Sequence, residues 1–172
     1  NNLIDALDVS EGTKVWEVGP GLGAMTSGLL EKGADLTVFE IDRGFISLIS
    51  QYFESYSQKG FFRIVEGDVL KNWYGQTKDG SQLPQRFFGN LPYNIAASIV
   101  ADTIEAGIRF EKCVFTVQKE VAVRMAAKAG DADYSSLSEY VPRFLYRQNL
   151  LLHQESKFGY PPKLPWRLSK AV

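Results

Sequence analysis

Four consecutive residues, Asn90-Leu91-Pro92-Tyr93, bring together a side-chain amide, a backbone carbonyl beside a proline and an aromatic ring. That set suits an exocyclic ring amine such as adenine N6. Such an amine is a poor nucleophile because its lone pair is delocalised into the ring. The Asn90 amide oxygen and the Leu91 carbonyl can hold both amino hydrogens and favour the pyramidal nitrogen that attacks. Pro92 stiffens the turn and presents the carbonyl, and Tyr93 offers a face on which a base can stack. No strong base is needed. Holding the nitrogen in line with an electrophile supplies much of the rate, since proximity effects reach about 7–11 kcal/mol. Read alone, the same residues also make a plain turn after a strand.

The electrophile is indicated upstream. Gly19-Pro20-Gly21-Leu22-Gly23-Ala24 follows a β-rich run and opens a helix, so its glycines allow a tight turn and close backbone approach to a ligand. Glu40 ends the next strand and can accept hydrogens from both ribose hydroxyls. By itself this segment also fits the dinucleotide fingerprint, or a bare tight turn. Glu17 adds the pattern E-x-G-x-G, usual in S-adenosylmethionine sites. Gly67-Asp68-Val69 follows the third strand, where Asp68 can accept from an adenine amino group or, alternatively, cap a helix. Glycines, a ribose carboxylate and an adenine carboxylate at three successive strand ends describe a pocket for an adenosyl group. S-adenosylmethionine carries an already activated methyl, so the chemistry calls for no metal. One Cys and one His exclude a disulfide framework and make a His/Cys metal centre untenable.

The elements that position these residues alternate. Strands are expected at 14–18, 36–40, 61–65, 86–88 and 113–117, and helices at 24–31, 45–56, 95–105 and 119–129. Residues 75–85 read as a loop. This order implies right-handed βαβ crossovers and a mainly parallel sheet in one α/β domain. Residues 140–146 suit one long edge-like strand. Cys113 reads as a buried strand residue, and His153 as a surface or core histidine.

The chain has 172 residues, 45% apolar and 23% charged, an ordinary globular balance. No apolar run approaches the roughly 20 residues that span a bilayer, and no signal peptide opens the chain. The net charge of −1 conceals a division. Residues 1–106 hold 8 basic and 14 acidic side chains, whereas residues 107–172 hold 11 and 6. The basic part can face a polyanion.

Several stretches together carry a resemblance to a known family: Glu17 to Ala24, Gly67-Asp68, Phe88-Gly89-Asn90-Leu91-Pro92-Tyr93-Asn94-Ile95, Val117-Gln118-Lys119-Glu120-Val121 and Tyr134-Ser135-Ser136-Leu137-Ser138. The chain resembles the small-subunit ribosomal RNA adenine N6,N6-dimethyltransferases over about residues 12–163. The related large-subunit macrolide-resistance methylases usually carry Ile where this chain has Leu91. An NAD-dependent oxidoreductase and a non-catalytic RNA-binding assembly factor are alternatives of other classes. The oxidoreductase gives Asn90-Leu91-Pro92-Tyr93 no role and lacks an evident proton donor, and the assembly factor implies RNA affinity insensitive to changes at Asp68 and Asn90.

The resemblance implies a Rossmann-like methyltransferase fold, a mainly parallel seven-stranded sheet with helices on both faces, and residues 1–172 as the catalytic domain. The family's N-terminal segment and C-terminal helical domain are not represented. It implies that Gly19, Gly21 and Gly23 line the methionine part of the cofactor with Glu17 nearby, that Glu40 binds ribose, and that Asp68 with Val69 and Asn90 completes the cofactor site. Asn90 and Leu91 take the target N6, with Pro92 and Tyr93 completing the catalytic motif. Tyr93 and Phe158 stack on opposite faces of the base. Lys119, Arg124, Lys128, Arg143 and Arg147 can line the RNA approach, although Lys119 and Glu120 equally suit a helix-start ion pair. The expected product is a pair of adjacent dimethyladenosines in a hairpin loop near the 3′ end of small-subunit RNA, with S-adenosylhomocysteine released. A cytoplasmic monomer acting on a 30S-type particle is implied. Tyr160 stands where relatives usually have proline, and residues 165–169 depart from the family pattern.

Overall fold

Lys14–Val18 (β1) is a β-rich run in which Val15, Trp16 and Val18 are buried. Continuous burial of this kind belongs to a parallel strand covered on both faces. In the computed structural model, residues 2–77, 83–147, 150–154 and 166–167 are described, with side chains beyond Val141 and those of Asn2, Tyr74, Thr77, Tyr93 and Ile104 outside the description. The chain divides into two compact units, Asn1–Gly89 and Asn90–Val172.

The first unit begins with helix α1 (Asn2–Leu7), then β1, α2 (Ala24–Glu31), β2 (Asp35–Glu40), α3 (Arg43–Tyr52), α4 (Glu54–Gln58) and β3 (Phe62–Glu66). A short α5 (Val69–Asn72), a 3-10 turn over Trp73–Thr77 and β4 (Arg86–Asn90) follow. The strands pair in parallel in the order β3-β2-β1-β4. Val18 lies opposite both Phe39 and Gly89, and Glu40 lies opposite Glu66. The carboxyl ends of the strands therefore meet at one edge, where ligands bind in open α/β sheets. Trp16 stands edge-on to Phe39, with ring centroids 5.1 Å apart, and to Trp73 at 6.4 Å.

Two local features depart from expectation. The single helix expected over 45–56 is broken at Phe53 (φ −110°, ψ 20°), which turns its ring inward onto Phe62 at 5.4 Å. Burying that aromatic ring outweighs one continuous helical ladder. Helix α1 was not expected; it is short but docks Ile4 and Leu7 into the core. Ile4 Cδ1 lies only 2.2 Å from where a Cβ on Gly28 of α2 would sit, so glycine permits the approach.

The second unit contains α6 (Tyr93–Glu105), β5 (Lys112–Val117), α7 (Lys119–Ala126), α8 (Ser136–Arg147), β6 (Leu150–Gln154) and β7 (Trp166–Arg167). β6 runs parallel to β5, pairing Cys113 with Leu150, and β7 runs antiparallel to β6. The expected strand over 140–146 is instead part of α8. Leu137 and Val141, four residues apart, are both buried, and α8 packs against α6 and α7. The Ser138 hydroxyl accepts from the Ser135 N–H at 3.0 Å and donates to the Arg124 carbonyl. It thus caps the start of α8 and the end of α7 together. Helix α7 correspondingly stops at Ala126, short of the expected 129, and Lys128 lies in a turn closed by Asp131. Cys113 is fully buried in β5, as expected, and burial raises its thiol pKa well above the ordinary range.

Helix α3 owes its start to Asp42, whose Oδ1 accepts from the N–H groups of Gly44 (2.7 Å) and Phe45 (3.0 Å). Asp42→Ala is expected to lower unfolding free energy by about 1 kcal/mol in urea titration, with Asp42→Ser keeping most of it.

Candidate active site

Three glycines shape the loop after β1. Gly19, Gly21 and Gly23 have φ of +70°, +55° and +82°, the left-handed region that side chains with a Cβ rarely adopt. Gly23 caps α2, and a Cβ there would stand 2.6 Å from Phe53 Cε2. At Gly21 the corresponding direction is open, leaving room beside the backbone for a ligand. The turn is stitched down: the Gly19 N–H donates to the Phe39 carbonyl at 3.0 Å and the Gly23 N–H to the Pro20 carbonyl at 2.9 Å.

Glu40, at the end of β2, is nearly buried and held by backbone donors. Its Oε1 accepts from the N–H groups of Ile41 (2.8 Å) and Asp42 (2.9 Å), and Oε2 accepts a longer bond from Gly21 (3.4 Å). The Glu40 carbonyl in turn accepts from the Gly67 N–H at 2.8 Å, tying β2 to the turn that presents Asp68. Asp68 Oδ1 accepts from the Leu70 N–H at 3.0 Å, so this carboxylate does cap α5, while Val69 is buried.

Glu17 is placed differently from its neighbours. It is 1% exposed, and its Oε2 accepts a hydrogen bond from the Thr26 hydroxyl at 2.8 Å, inside the protein. Burial pushes the Glu17 carboxyl up to about 7, opposed by the Thr26 bond and reinforced by the nearby charge of Glu40. Thr26, itself fully buried on α2, was missed by sequence reasoning. The available signal was a polar residue on the apolar side of α2.

In the second unit, Asn90 is exposed and its Oδ1 accepts from the Thr116 hydroxyl at 2.9 Å. The Leu91 N–H donates to the Thr116 carbonyl at 3.0 Å, and the Leu91 side chain is buried. The Pro92 carbonyl accepts from the Ala96 N–H at 3.0 Å, starting α6. Tyr93 opens α6, with its side chain outside the described residues. Lys119 and Arg124 are exposed on α7, and Lys128 is exposed in the turn beyond it. Arg143 and Arg147 belong to α8 but their side chains lie outside the described residues, as does the whole of Phe158. Thr116, also missed, is the one polar residue in the Cys113–Val117 run. Among the described residues no helix is long and apolar enough to cross a membrane, and no cluster of three His, Cys, Asp or Glu residues is placed to hold a metal.

Parallel strands, a left-handed glycine turn and a clamped carboxylate at the next strand end define a Rossmann-like α/β protein. The fold is similar to the crystal structure of a dimethyladenosine transferase from Plasmodium falciparum, 28% identical with a TM-score of 0.66 over 81% of this chain and 48% of that one. It is also similar to the 23S rRNA methyltransferase ErmE, 26% identical with a TM-score of 0.55 over 75% and 49%. The family model for ribosomal RNA adenine dimethylases matches residues 1–164, and the chain belongs to that family. Among curated relatives, the ribosomal RNA small subunit methyltransferase A of Treponema denticola is 53% identical over 80% of this chain and 46% of its own length. That of Borreliella burgdorferi (strain ZS7) is 38% identical over 94% and 55%. The chain thus spans about half the length of the curated relatives it matches.

The raised Glu17 pKa carries a pH dependence. Between about pH 4.5 and 7 the folded protein holds a proton on Glu17 that the unfolded chain releases. Its stabilising contribution is complete below 4.5 and is lost as pH rises through 7, on the order of 3 kcal/mol. Glu17→Gln is expected to remove that fall, seen as a flatter curve of unfolding free energy against pH in the variant than in the unaltered protein.

Proposed function

We propose that this chain is the catalytic part of an enzyme that transfers methyl groups from S-adenosylmethionine to adenine N6 of small-subunit ribosomal RNA. The observation that carries the reading is the Asn90-Leu91 pair, an exposed amide and a backbone segment both anchored on Thr116 at the end of a strand. Family membership and the names of the two curated relatives support the small subunit as target.

The residues fit the cofactor. The open side of Gly21 admits a ligand against the backbone, and the glycine turn receives the methionine portion. Glu40 Oε2, the less heavily bonded of its two oxygens, is suited to a ribose hydroxyl. Asp68 takes the cofactor adenine amine, and Val69, the buried residue that follows it, completes this side of the cofactor site. Glu17, bonded to Thr26, supports the turn from inside. When bound, S-adenosylmethionine supplies a sulfonium-activated methyl.

The protein's own work is positioning. Asn90 Oδ1 and the Leu91 carbonyl accept the two hydrogens of the target amine, which draws the nitrogen lone pair out of conjugation with the ring. Pro92 keeps the turn rigid, and Tyr93 and Phe158 hold the flipped base between two aromatic faces. Lys119, Arg124, Lys128, Arg143 and Arg147 contact phosphates, which gives affinity without sequence reading. The product is two adjacent N6,N6-dimethyladenosines in a hairpin loop, made by a cytoplasmic monomer on a 30S-type particle.

The full-length protein is incubated with labelled S-adenosylmethionine and unmethylated small ribosomal subunits, and the label is mapped. Label is expected on adjacent loop adenines. Asn90→Ala is expected to slow transfer about 100-fold with cofactor affinity kept. Asp68→Ala is expected to weaken cofactor binding about tenfold. Absence of label, or label on a large-subunit adenine, overturns the reading.

A further inference from the structure

We propose that Thr116 is a positioning residue for methyl transfer, holding the two groups that take the target amine in their reactive arrangement. The proposal rests on the roles of Asn90 and Leu91 given above.

Thr116 is the penultimate residue of β5 and is 6% exposed, in a run whose apolar members Cys113, Val114, Phe115 and Val117 are at most 1% exposed. The strand has no need of a hydroxyl there. Valine has nearly the same shape and a comparable strand preference, and burying a hydroxyl is unfavourable unless it is hydrogen-bonded. This hydroxyl is bonded, and to Asn90 Oδ1 at 2.9 Å. The same residue accepts the Leu91 N–H on its backbone carbonyl at 3.0 Å. One buried residue therefore fixes two successive residues, one through its side chain and one through its main chain.

The geometry matters because Asn90 is exposed. An exposed asparagine samples several rotamers, and most of them point its oxygen away from any one place. An amide oxygen has two lone pairs. The Thr116 hydroxyl occupies one and so holds the side chain still, while the second can accept a hydrogen from the amine. A side chain already oriented when the base arrives has less freedom to lose in the transition state. Thr116 touches neither cofactor nor base in this scheme, so its effect belongs on kcat. Cofactor affinity and the KM for the ribosomal subunit should stay as they are.

The full-length protein tests this with labelled cofactor, small subunits and single-turnover rates. Thr116→Val deletes the hydroxyl but keeps the carbonyl that holds Leu91. It is expected to lower kcat about tenfold, the size of one lost orienting hydrogen bond, with the cofactor Kd and subunit KM within about twofold. Thr116→Ala, which removes the hydroxyl without valine's extra methyl, is expected to show the same loss, so the reading does not hang on one variant folding well. Thr116→Ser is expected to restore the rate to within about twofold of the unaltered protein. Added to Asn90→Ala, Thr116→Val is expected to cost nothing more, because the group it orients is gone. Unaltered rates in both Thr116→Val and Thr116→Ala, or an equal further loss in the Asn90→Ala background, would refute the assignment while leaving the Asn90 reading intact. Asn90→Ala acting at the normal rate would refute both together.

Discussion

At the carboxyl end of β1 the Glu17 side chain is carried into the protein interior with 1% of its surface exposed. A carboxyl in that position must be neutral or well bonded, and Glu17 is in part both: burial favours its proton, and Thr26 donates to its oxygen. The bond joins the strand before the glycine turn to the helix after it. The turn's two anchorages are thereby locked from below, so the left-handed glycines can present bare backbone above without the loop collapsing. The strand ends beside it follow the same rule. Glu40 is satisfied by the N–H groups of its own next two residues and of Gly21, and Asp68 by Leu70.

The second unit solves a related problem with the same side chain. Thr116 stands to Asn90 as Thr26 stands to Glu17: a buried hydroxyl on a neighbouring element bonded to a side-chain oxygen. Threonine suits this use because its methyl fills the apolar side while its hydroxyl reaches one partner. Serine plays the corresponding part farther along, where Ser138 joins the end of α7 to the start of α8 through one hydroxyl.

Much of this was legible from residue order. The parallel strands, the glycine turn and the place of Asn90 at the close of the fourth strand follow from runs of β-branched and aromatic residues and from glycine spacing, which are local signals. What escaped was decided by packing. Residues 140–146 alternate in a way that suits a strand, yet the burial of Leu137 and Val141 on one side makes a helix. Pro142 points the same wrong way, since proline is tolerated in edge strands but removes a hydrogen bond inside a helix, and here it is the seventh residue of α8. The break at Phe53 depends on Phe62, nine residues away, and no local pattern encodes that pairing. Thr26 and Thr116 escaped for a further reason. Their partners are 9 and 26 residues distant, and a threonine in an apolar run looks like an ordinary β-branched filler.

The isolation of Cys113 has a practical side. It is the chain's single thiol, sealed within β5 with its pKa well above the ordinary range, so it stays protonated and out of reach of alkylating reagents in the native state. A cysteine introduced at an exposed position such as Lys128 would then be the sole labelling point on this part of the molecule. A fluorophore or spin label attached there would test the proposed engagement of RNA by the basic segment with no background from the native residue.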